Sequence, residues 1–351
     1  MTYIAKPKVH HPSMQKNALG LTRRDYEGSM STLCAGCGHD SVTAAIIHAF
    51  WELDIEPHRV AKLSGIGCSS KTPTYFIKQA HGFNSVHGRM PSIATGANAA
   101  NGELTYIGIS GDGDSLSIGL GQLCHLIRRN VNMLYVLENN GVYGLTKGQF
   151  SASADKGTLA KKGEANQLEA IDGCLMALTL GATFVARSFS GDKEQLVPII
   201  EAGIRHKGFA FIDVISPCVT FNDHQGSTKS YAYTREHMHE VDDVDFVPLR
   251  REITMPDGPG AVREVRMHDG SVVTFKRLDE NYDPTDRDKA YAYLREHQNK
   301  GQVVTGLLYM NEQSRDLHDV NKTVPAPLTS VPYEQLTPGA AALAKLQKRY
   351  R

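Results

Sequence analysis

Two short apolar runs, Leu104–Ser110 and Asn132–Leu137, constrain the fold of this chain more than any other feature. Both are almost free of charge, which is typical of strands buried on both faces at the centre of a parallel sheet. The first run leads into the segment Gly111–Asp114 (Gly-Asp-Gly-Asp), and the second leads into Asn139–Asn140. The carboxyl ends of parallel strands meet at one edge of a sheet, where ligands bind. We therefore expect these two polar segments to share a ligand site.

The surrounding sequence predicts a doubly wound α/β domain with a mostly parallel sheet, because helix-like and strand-like segments alternate from about residue 40 to residue 216. The predicted helices are Ser41–Leu53, with Asp40 as N-cap, Leu116–Arg129, Ile171–Leu180 and Lys193–His206. The predicted further strands are Val60–Gly65, Thr183–Ala186 and Phe209–Ile215.

After about Lys229 the composition becomes polar and acidic, which predicts a C-terminal α+β extension. Within it, Val262–Met267 and Val272–Lys276 flank the turn signal His268–Ser271 and predict a hairpin. The similar segments Tyr231–His237 and Tyr291–His297 predict two amphipathic helices around this insert. The predicted organisation is an N-terminal arm (1–29), a ligand-binding domain (30–228) and the extension (229–351), whose tail after Pro325 packs on a partner or frays.

The two polar segments have the composition of a magnesium diphosphate site. Mg²⁺ prefers oxygen ligands, usually one or two carboxylates together with substrate phosphates. The Asp112 carboxylate, the Asn140 amide oxygen and the Val142 backbone carbonyl can supply three protein ligands. Glycines beside Asp112 would let the backbone approach the phosphates closely.

Four of the six cysteines lie where metal ligands can converge. Cys34 and Cys37 form a Cys-x-x-Cys pair before the first helix, and Cys68 and Cys218 follow predicted strands. The other two, Cys124 and Cys174, lie inside apolar helical stretches and are expected to be small buried side chains. Four thiolates can hold a [4Fe–4S] cluster or a zinc ion, and spacing alone leaves both open. Gly38 stands where a c-type haem motif needs His.

The bulk composition excludes several classes of function. There are 38 Lys and Arg residues and 38 Asp and Glu residues, so no net charge points to nucleic acid or an anionic membrane. Met1–Lys16 has no apolar core of a secretory signal, and no apolar run reaches the roughly 20 residues of a membrane helix. We expect a cytoplasmic protein.

Several motifs occur in an order that resembles the β subunit of 2-oxoacid:ferredoxin oxidoreductases, most closely the 2-oxoglutarate type. They are Cys34–His39, Gly65–Lys71, His87–Gly96, Gly111–Asp114, Asn139–Gln149 and Ser216–Cys218, followed by Asn281–Arg287 and Thr305–Tyr309. The resemblance covers about residues 30 to 310. It implies a thiamine diphosphate-binding fold.

The resemblance also implies roles for individual residues. It implies that one [4Fe–4S] cluster is bound by Cys34, Cys37, Cys68 and Cys218, and that magnesium is bound by Asp112, Asn140 and the Val142 carbonyl. It implies that the thiamine diphosphate site is lined by Ile66, Gly67, Cys68, Ser69, His87, Gly113, Asp114, Gly144, Leu145 and Thr146. His87 would lie beside the diphosphate, and Cys68 would belong to both sites.

The implied reaction is reversible oxidative decarboxylation of 2-oxoglutarate to succinyl-CoA, with coenzyme A as co-substrate and ferredoxin as electron acceptor. Lys71 could face the distal carboxylate of the substrate, and Lys147 is a second candidate. A pyruvate or broad-range enzyme is the alternative. The chain would need an α subunit, as a heterodimer or a dimer of heterodimers, because no motif supplies the carboxylate that activates thiamine. Less favoured are an iron-free thiamine-dependent decarboxylase or synthase and a zinc-stabilised subunit without chemistry.

Overall fold

The computed structural model describes residues 11–160, 163–247, 262–266, 272–277, 282–324 and 326–350. Its strands are β1 (Val60–Ser64), β2 (His81–Asn84), β3 (Thr105–Gly111), β4 (Met133–Asn139), β5 (Val142–Tyr143), β6 (Gln149–Phe150), β7 (Phe184–Phe189), β8 (Phe209–Ile215), β9 (Met238–Glu240), β10 (Asp242–Val247), β11 (Val262–Arg266), β12 (Val272–Arg277) and β13 (Val303–Met310). Its α-helices are α1 (Gly38–Glu52), α2 (Thr72–Tyr75), α3 (Met90–Ala100), α4 (Leu120–Arg129), α5 (Gly173–Thr179), α6 (Lys193–Arg205), α7 (Tyr231–His237), α8 (Arg287–Asn299), α9 (Leu317–Asn321), α10 (Tyr333–Leu336) and α11 (Gly339–Gln347).

Eight of the described strands form one sheet in the order β2-β1-β3-β4-β8-β7-β13-β9. All neighbouring pairs are parallel except β13 with β7. Helices cover both faces, so the predicted doubly wound, mostly parallel α/β fold is confirmed. A small antiparallel sheet, β10-β12-β11, and the short pair β5-β6 stand apart from it.

Alternating side chains of the central strands pack into two separate cores. On β4, Leu134 and Val136 lie in the core beneath α1 and α6, whereas Tyr135 and Leu137 lie in the core beneath α3, α4, α5 and α8. A strand that is apolar on both faces satisfies both cores at once. This explains why β4 reads as a continuous apolar run.

The predicted strands agree with the structure to within a few residues, but two helix starts differ. The first helix begins at Gly38 with Cys37 as N-cap, so Asp40 lies in its first turn and does not cap it. The predicted helix Leu116–Arg129 begins as an α-helix only at Leu120, after a π-helical segment, Gly113–Ile118. The break lies at Gly119, where a Cβ atom would meet the Gly88 Cα at 2.8 Å.

The C-terminal region contains the predicted elements and also strands β9, β10 and β13 and helices α9, α10 and α11, which were not predicted. β11 and β12 pair as the predicted hairpin, whose turn at 267–271 lies outside the described residues. The two similar segments lie in α7 and α8. However, β9 and β13 join the main sheet, so the sheet crosses the predicted boundary at residue 228, and that boundary stays a prediction. None of the described helices is long and apolar enough to cross a membrane.

Candidate functional site

A cavity lies at the carboxyl ends of β1, β3 and β4. The residues that the sequence analysis connected with thiamine diphosphate or magnesium all line it: Ile66, Gly67, Cys68, Ser69, His87, Asp112, Gly113, Asp114, Asn140, Val142, Gly144, Leu145 and Thr146. Gly111, Ile118 and Tyr143 complete the lining. The structure therefore brings these residues together, while their individual ligand roles stay predictions.

Asp112 is a buried carboxylate with an unusual set of partners. Its Oδ2 accepts hydrogen bonds from the hydroxyls of Ser151 and Ser153, the latter at 2.7 Å, and its Oδ1 accepts only a long bond of 3.4 Å from the Asn140 amide. Burial raises the pKa of Asp112, and these hydrogen bonds oppose the rise. Among the described residues, no cationic side chain pairs with it.

Asn140 and Val142 line the same cavity as Asp112. The Val142 backbone amide donates to the Asn140 Oδ1 at 3.1 Å, which folds the chain after β4 into a tight turn. A carboxylate, an amide oxygen and a backbone carbonyl are the kinds of ligand that Mg²⁺ prefers. These residues therefore fit a hard divalent cation.

Asp114 positions the His87 turn. Its Oδ1 accepts the Gly88 amide at 2.8 Å and its Oδ2 accepts the Ser110 hydroxyl at 3.1 Å. Gly88 has a φ of +67°, and a Cβ there would lie 2.7 Å from the backbone of Gly119, so only glycine fits. His87 itself is exposed on the cavity wall.

Tyr143 is a lining residue to which the sequence analysis gave no role. Its hydroxyl donates to the Gly113 carbonyl at 3.0 Å, and a Cβ at Gly113 would lie 2.5 Å from its ring. A Cβ at Gly111 would lie 2.9 Å from the Ser69 hydroxyl oxygen. Close protein packing, and not only approach to a phosphate, therefore requires these two glycines. The position of Tyr143 shortly after Asn139–Asn140 is the sequence feature that could have identified it as a lining residue.

The structure gathers the four cysteines that the sequence singled out beside this cavity. A Cβ on Gly144 would lie 3.5 Å from both the Cys68 and the Cys218 Sγ, and the Thr220 hydroxyl, two residues after Cys218, donates to the Cys34 Sγ at 3.6 Å. Burial raises the pKa of Cys37 to about 12, and the neighbouring Glu138 and the Cys218 and Cys68 thiols act in the same direction.

The six cysteines are all free thiols. Within the described ranges, no group of three His, Cys, Asp or Glu side chains stands close enough together to hold a single metal ion. Cys174 is buried as expected, whereas Cys124 is only partly buried.

His39 joins the loops that carry these cysteines. It follows the Cys34–Cys37 loop, its Nδ1 lies 2.6 Å from the hydroxyl of Ser216 and 3.7 Å from Glu138, and its Nε2 lies 3.5 Å from the Ser69 hydroxyl. The Glu138 carboxyl in turn accepts from Thr72 at 3.0 Å. Burial lowers the pKa of His39 to about 4 and raises the pKa of Glu138 well above its usual range.

The sequence analysis assigned no function to either His39 or Glu138. Glu138 is the one acidic residue within the apolar strand β4, and that is the signal that could have identified it.

The two candidate substrate lysines lie outside the cavity lining. Lys71 is half-buried on the 3₁₀ turn Ser69–Lys71, and its backbone amide donates to the Cys68 carbonyl at 3.1 Å. Burial and the Cys218 thiol raise the pKa of Cys68, and the Lys71 ammonium opposes them, so this cation lies near the thiol. Lys147 is exposed in a left-handed turn directly after Thr146.

Two family models match the chain. Residues 65–214 match the C-terminal thiamine pyrophosphate-binding domain of thiamine pyrophosphate enzymes. Residues 274–325 match the C-terminal part of the pyruvate ferredoxin oxidoreductase β subunit.

Individual proteins are similar over longer stretches. The β subunit of 2-oxoacid:ferredoxin oxidoreductase 1 from Aeropyrum pernix is 44% identical over 224 residues, which are 63% of this chain and 69% of the relative. The 2-oxoglutarate synthase subunit KorB from Methanocaldococcus jannaschii is 39% identical over 189 residues, 54% of this chain and 69% of the relative. A solved 2-oxoglutarate:ferredoxin oxidoreductase from Magnetococcus marinus, with 2-oxoglutarate, coenzyme A and succinyl-CoA bound, superposes with a TM-score of 0.73 at 28% identity, covering 95% of this chain and 97% of that one.

The variant His39→Ala tests whether His39 holds together the loops that carry the four cysteines. We expect His39→Ala to lower the free energy of unfolding by about 2–4 kcal/mol, because Ser216 and Glu138 lose a buried partner and a cavity forms. The matched control is His48→Ala on the same helix, whose partly exposed pair with Glu52 contributes less than about 1 kcal/mol. Urea unfolding of both variants measures the difference. Equal losses would show that His39 has no special role.

Proposed function

The chain belongs to the β subunits of 2-oxoacid:ferredoxin oxidoreductases, and on this premise we propose that it binds Mg²⁺–thiamine diphosphate and one [4Fe–4S] cluster. With an α subunit it would oxidatively and reversibly decarboxylate 2-oxoglutarate to succinyl-CoA and pass electrons to ferredoxin. The observation that carries the proposal is the position of Cys68, which lines the cavity and also lies among the four converging cysteines.

Three residues of this chain would hold the magnesium diphosphate. Asp112 would bind the cation through its carboxylate, together with the Asn140 amide oxygen and the Val142 carbonyl, and all three residues line the cavity. His87 would hydrogen-bond the diphosphate from a turn fixed by Asp114. When bound, thiamine supplies the electron sink that stabilises the carbanion of decarboxylation. The protein's part is to orient the cofactor and exclude water.

The four cysteines fit an iron–sulfur cluster better than a zinc ion. A tetrahedral zinc site holds its sulfurs about 3.8 Å apart, given Zn–S bonds near 2.3 Å. Within the part of the chain that the structure describes, no three ligand side chains approach each other closely enough for one ion. A [4Fe–4S] cluster binds each thiolate at a separate iron and spreads the sulfurs further apart. Since burial raises the pKa of the Cys37, Cys68 and Cys218 thiols, cluster binding would have to displace their protons.

An α subunit would complete the site. The carboxylates in the cavity lining are Asp112 and Asp114, and both are held by hydrogen bonds from the protein. The carboxylate that activates the aminopyrimidine would therefore come from the partner. Ile118 and Leu145, 51% and 50% exposed on the lining, would be covered by that subunit.

The preference for 2-oxoglutarate rests on two observations. KorB of M. jannaschii is named for 2-oxoglutarate, and the M. marinus enzyme has 2-oxoglutarate, coenzyme A and succinyl-CoA bound. The Lys71 ammonium lies close to Cys68 at the cavity wall, where it could pair with a distal carboxylate. A pyruvate or broad-range enzyme remains the alternative.

The magnesium assignment predicts the behaviour of Asp112→Ala in the αβ complex. We expect thiamine diphosphate retained after desalting to fall at least tenfold, because the carboxylate ligand of the cation is gone. The iron content should not change, since Asp112 is not a cluster ligand. Asp288→Ala, an exposed carboxylate on α8, serves as control. Undiminished thiamine in Asp112→Ala would contradict the assignment.

The cluster assignment predicts a brown protein with about four irons per chain whose visible absorbance bleaches with dithionite. Anaerobic purification of the αβ complex, with iron and sulfide quantified, measures this. Cys218→Ser should lose most of the iron, whereas Cys124→Ser on α4 should keep it. A colourless protein with bound zinc would overturn the redox function.

The role of Lys71 can be separated from that of Lys147 by substrate. We expect Lys71→Ile to lower kcat/KM for 2-oxoglutarate about 10–100-fold, the effect of losing a charged hydrogen bond, and to change kcat/KM for pyruvate less than about twofold. Lys147→Ile is the matched comparison. Equal losses for the two substrates would show that Lys71 does not read the distal carboxylate.

A further inference from the structure

The Asp112 Oδ2 belongs to a hydrogen-bonded network of polar side chains that has no role in the proposed chemistry. The Ser153 hydroxyl lies 2.7 Å from the Asp112 Oδ2 and 2.9 Å from the Asn139 Oδ1. Asn139 Nδ2 donates to the Asp213 Oδ1 at 3.0 Å. Ser153, Asn139 and Asp213 are 1%, 4% and 1% exposed, so water does not compete for these hydrogen bonds.

An ion-pair cluster of Arg187, Asp172 and Asp213 lies at the other end of this network. Arg187 donates from Nε to the Asp213 Oδ2 at 3.1 Å and from Nη2 to both oxygens of Asp172 at 2.8 Å. Asp172 also caps α5 by accepting the Leu175 amide at 2.9 Å. Arg187 and Asp213 are directly opposite each other on β7 and β8. The pairing of β7 with β8 therefore fixes the position of this ion-pair cluster.

Asp213, a member of this cluster, fixes the orientation of the Asn139 side-chain amide. The Asp213 carboxyl group, which accepts from Arg187, also accepts from the NH₂ group of Asn139, so the amide oxygen faces Ser153. The Ser153 hydroxyl then has three polar partners, the Asp112 carboxylate, the Asn139 amide oxygen and, at 3.2 Å, the Ser151 hydroxyl.

We propose that Ser153 and Asn139 are positioning residues that hold Asp112 Oδ2 inside the protein and thereby present Oδ1 to the cofactor cavity. This inference rests on the proposed magnesium site. Hydrogen-bond partners of metal ligands commonly change metal affinity 10–100-fold when they are removed. Ser153 and Asn139 also line a second cavity, together with Arg187 and Asp213, so close packing alone does not hold these two side chains in place.

The test is the Mg²⁺ concentration that gives half-maximal binding of thiamine diphosphate to the αβ complex, measured by titration calorimetry. We expect Ser153→Ala and Asn139→Ala each to raise it about tenfold, and the double variant to raise it no further, because both act through one hydrogen bond to Asp112. Excess Mg²⁺ should restore full binding, and the iron content should stay normal. Neither result is expected of a general folding defect.

Ser188→Ala is the matched control, because Ser188 is a fully buried serine next to Arg187. Its hydroxyl donates to Gln195, which is not a member of this hydrogen-bonded network. It should shift the Mg²⁺ midpoint less than twofold. Asp112→Ala separates the two levels of the proposal. If Asp112→Ala leaves the Mg²⁺ midpoint unchanged, the magnesium site itself is wrong. If Asp112→Ala raises the midpoint but the Ser153 and Asn139 variants do not, or if their effects multiply, the positioning role is overturned.

Discussion

Backbone hydrogen bonding between β3, β4 and β8 fixes the positions of three functional segments at the carboxyl edge of the sheet. Gly111 at the end of β3 is opposite Glu138, and Asn139 at the end of β4 is opposite Ile215. The segments that follow these strands therefore start level with one another, and they carry Asp112, Asn140 and Cys218. A shift of the register by one residue would turn each of these side chains to the other face of its strand. The metal and thiol sites thus depend on a pairing that is itself held by two apolar cores.

Three buried ionisable groups near this edge are accommodated in three different ways. Arg187 is paired with Asp172 and Asp213, which compensates its charge inside the protein. Glu138 has His39 and Thr72 as partners, and burial raises its pKa well above the usual range. Asp112 accepts hydrogen bonds from the hydroxyls of Ser151 and Ser153 and a long one from the Asn140 backbone amide, and none of these partners is charged. Because an uncompensated buried charge is unfavourable, the third arrangement is the one that a bound cation would stabilise.

Much of the site could be predicted because its residues are close in sequence to strand ends. The cavity lining, the converging cysteines and the parallel sheet follow from apolar runs that end in Gly-Asp-Gly, Asn-Asn and Ser-Pro-Cys. The supporting residues could not be predicted in the same way. His39 reaches Ser216 across 177 positions, and Ser153 reaches Asp112 across 41. The residues that neighbour a serine or a histidine in the sequence do not indicate which distant group its side chain contacts.

The sequence by itself determined the fold class, the edge of the sheet that carries the chemistry and the types of side chain gathered there, because period, charge and strand ends are local properties. Only the tertiary structure decided that β13 enters the sheet antiparallel to β7, since that pairing joins segments more than a hundred residues apart. It also decided that Asp112 turns one oxygen toward two serines and the other toward the backbone amide of Asn140. Such orientation depends on hydrogen bonds between distant segments, which exist only once the chain has folded.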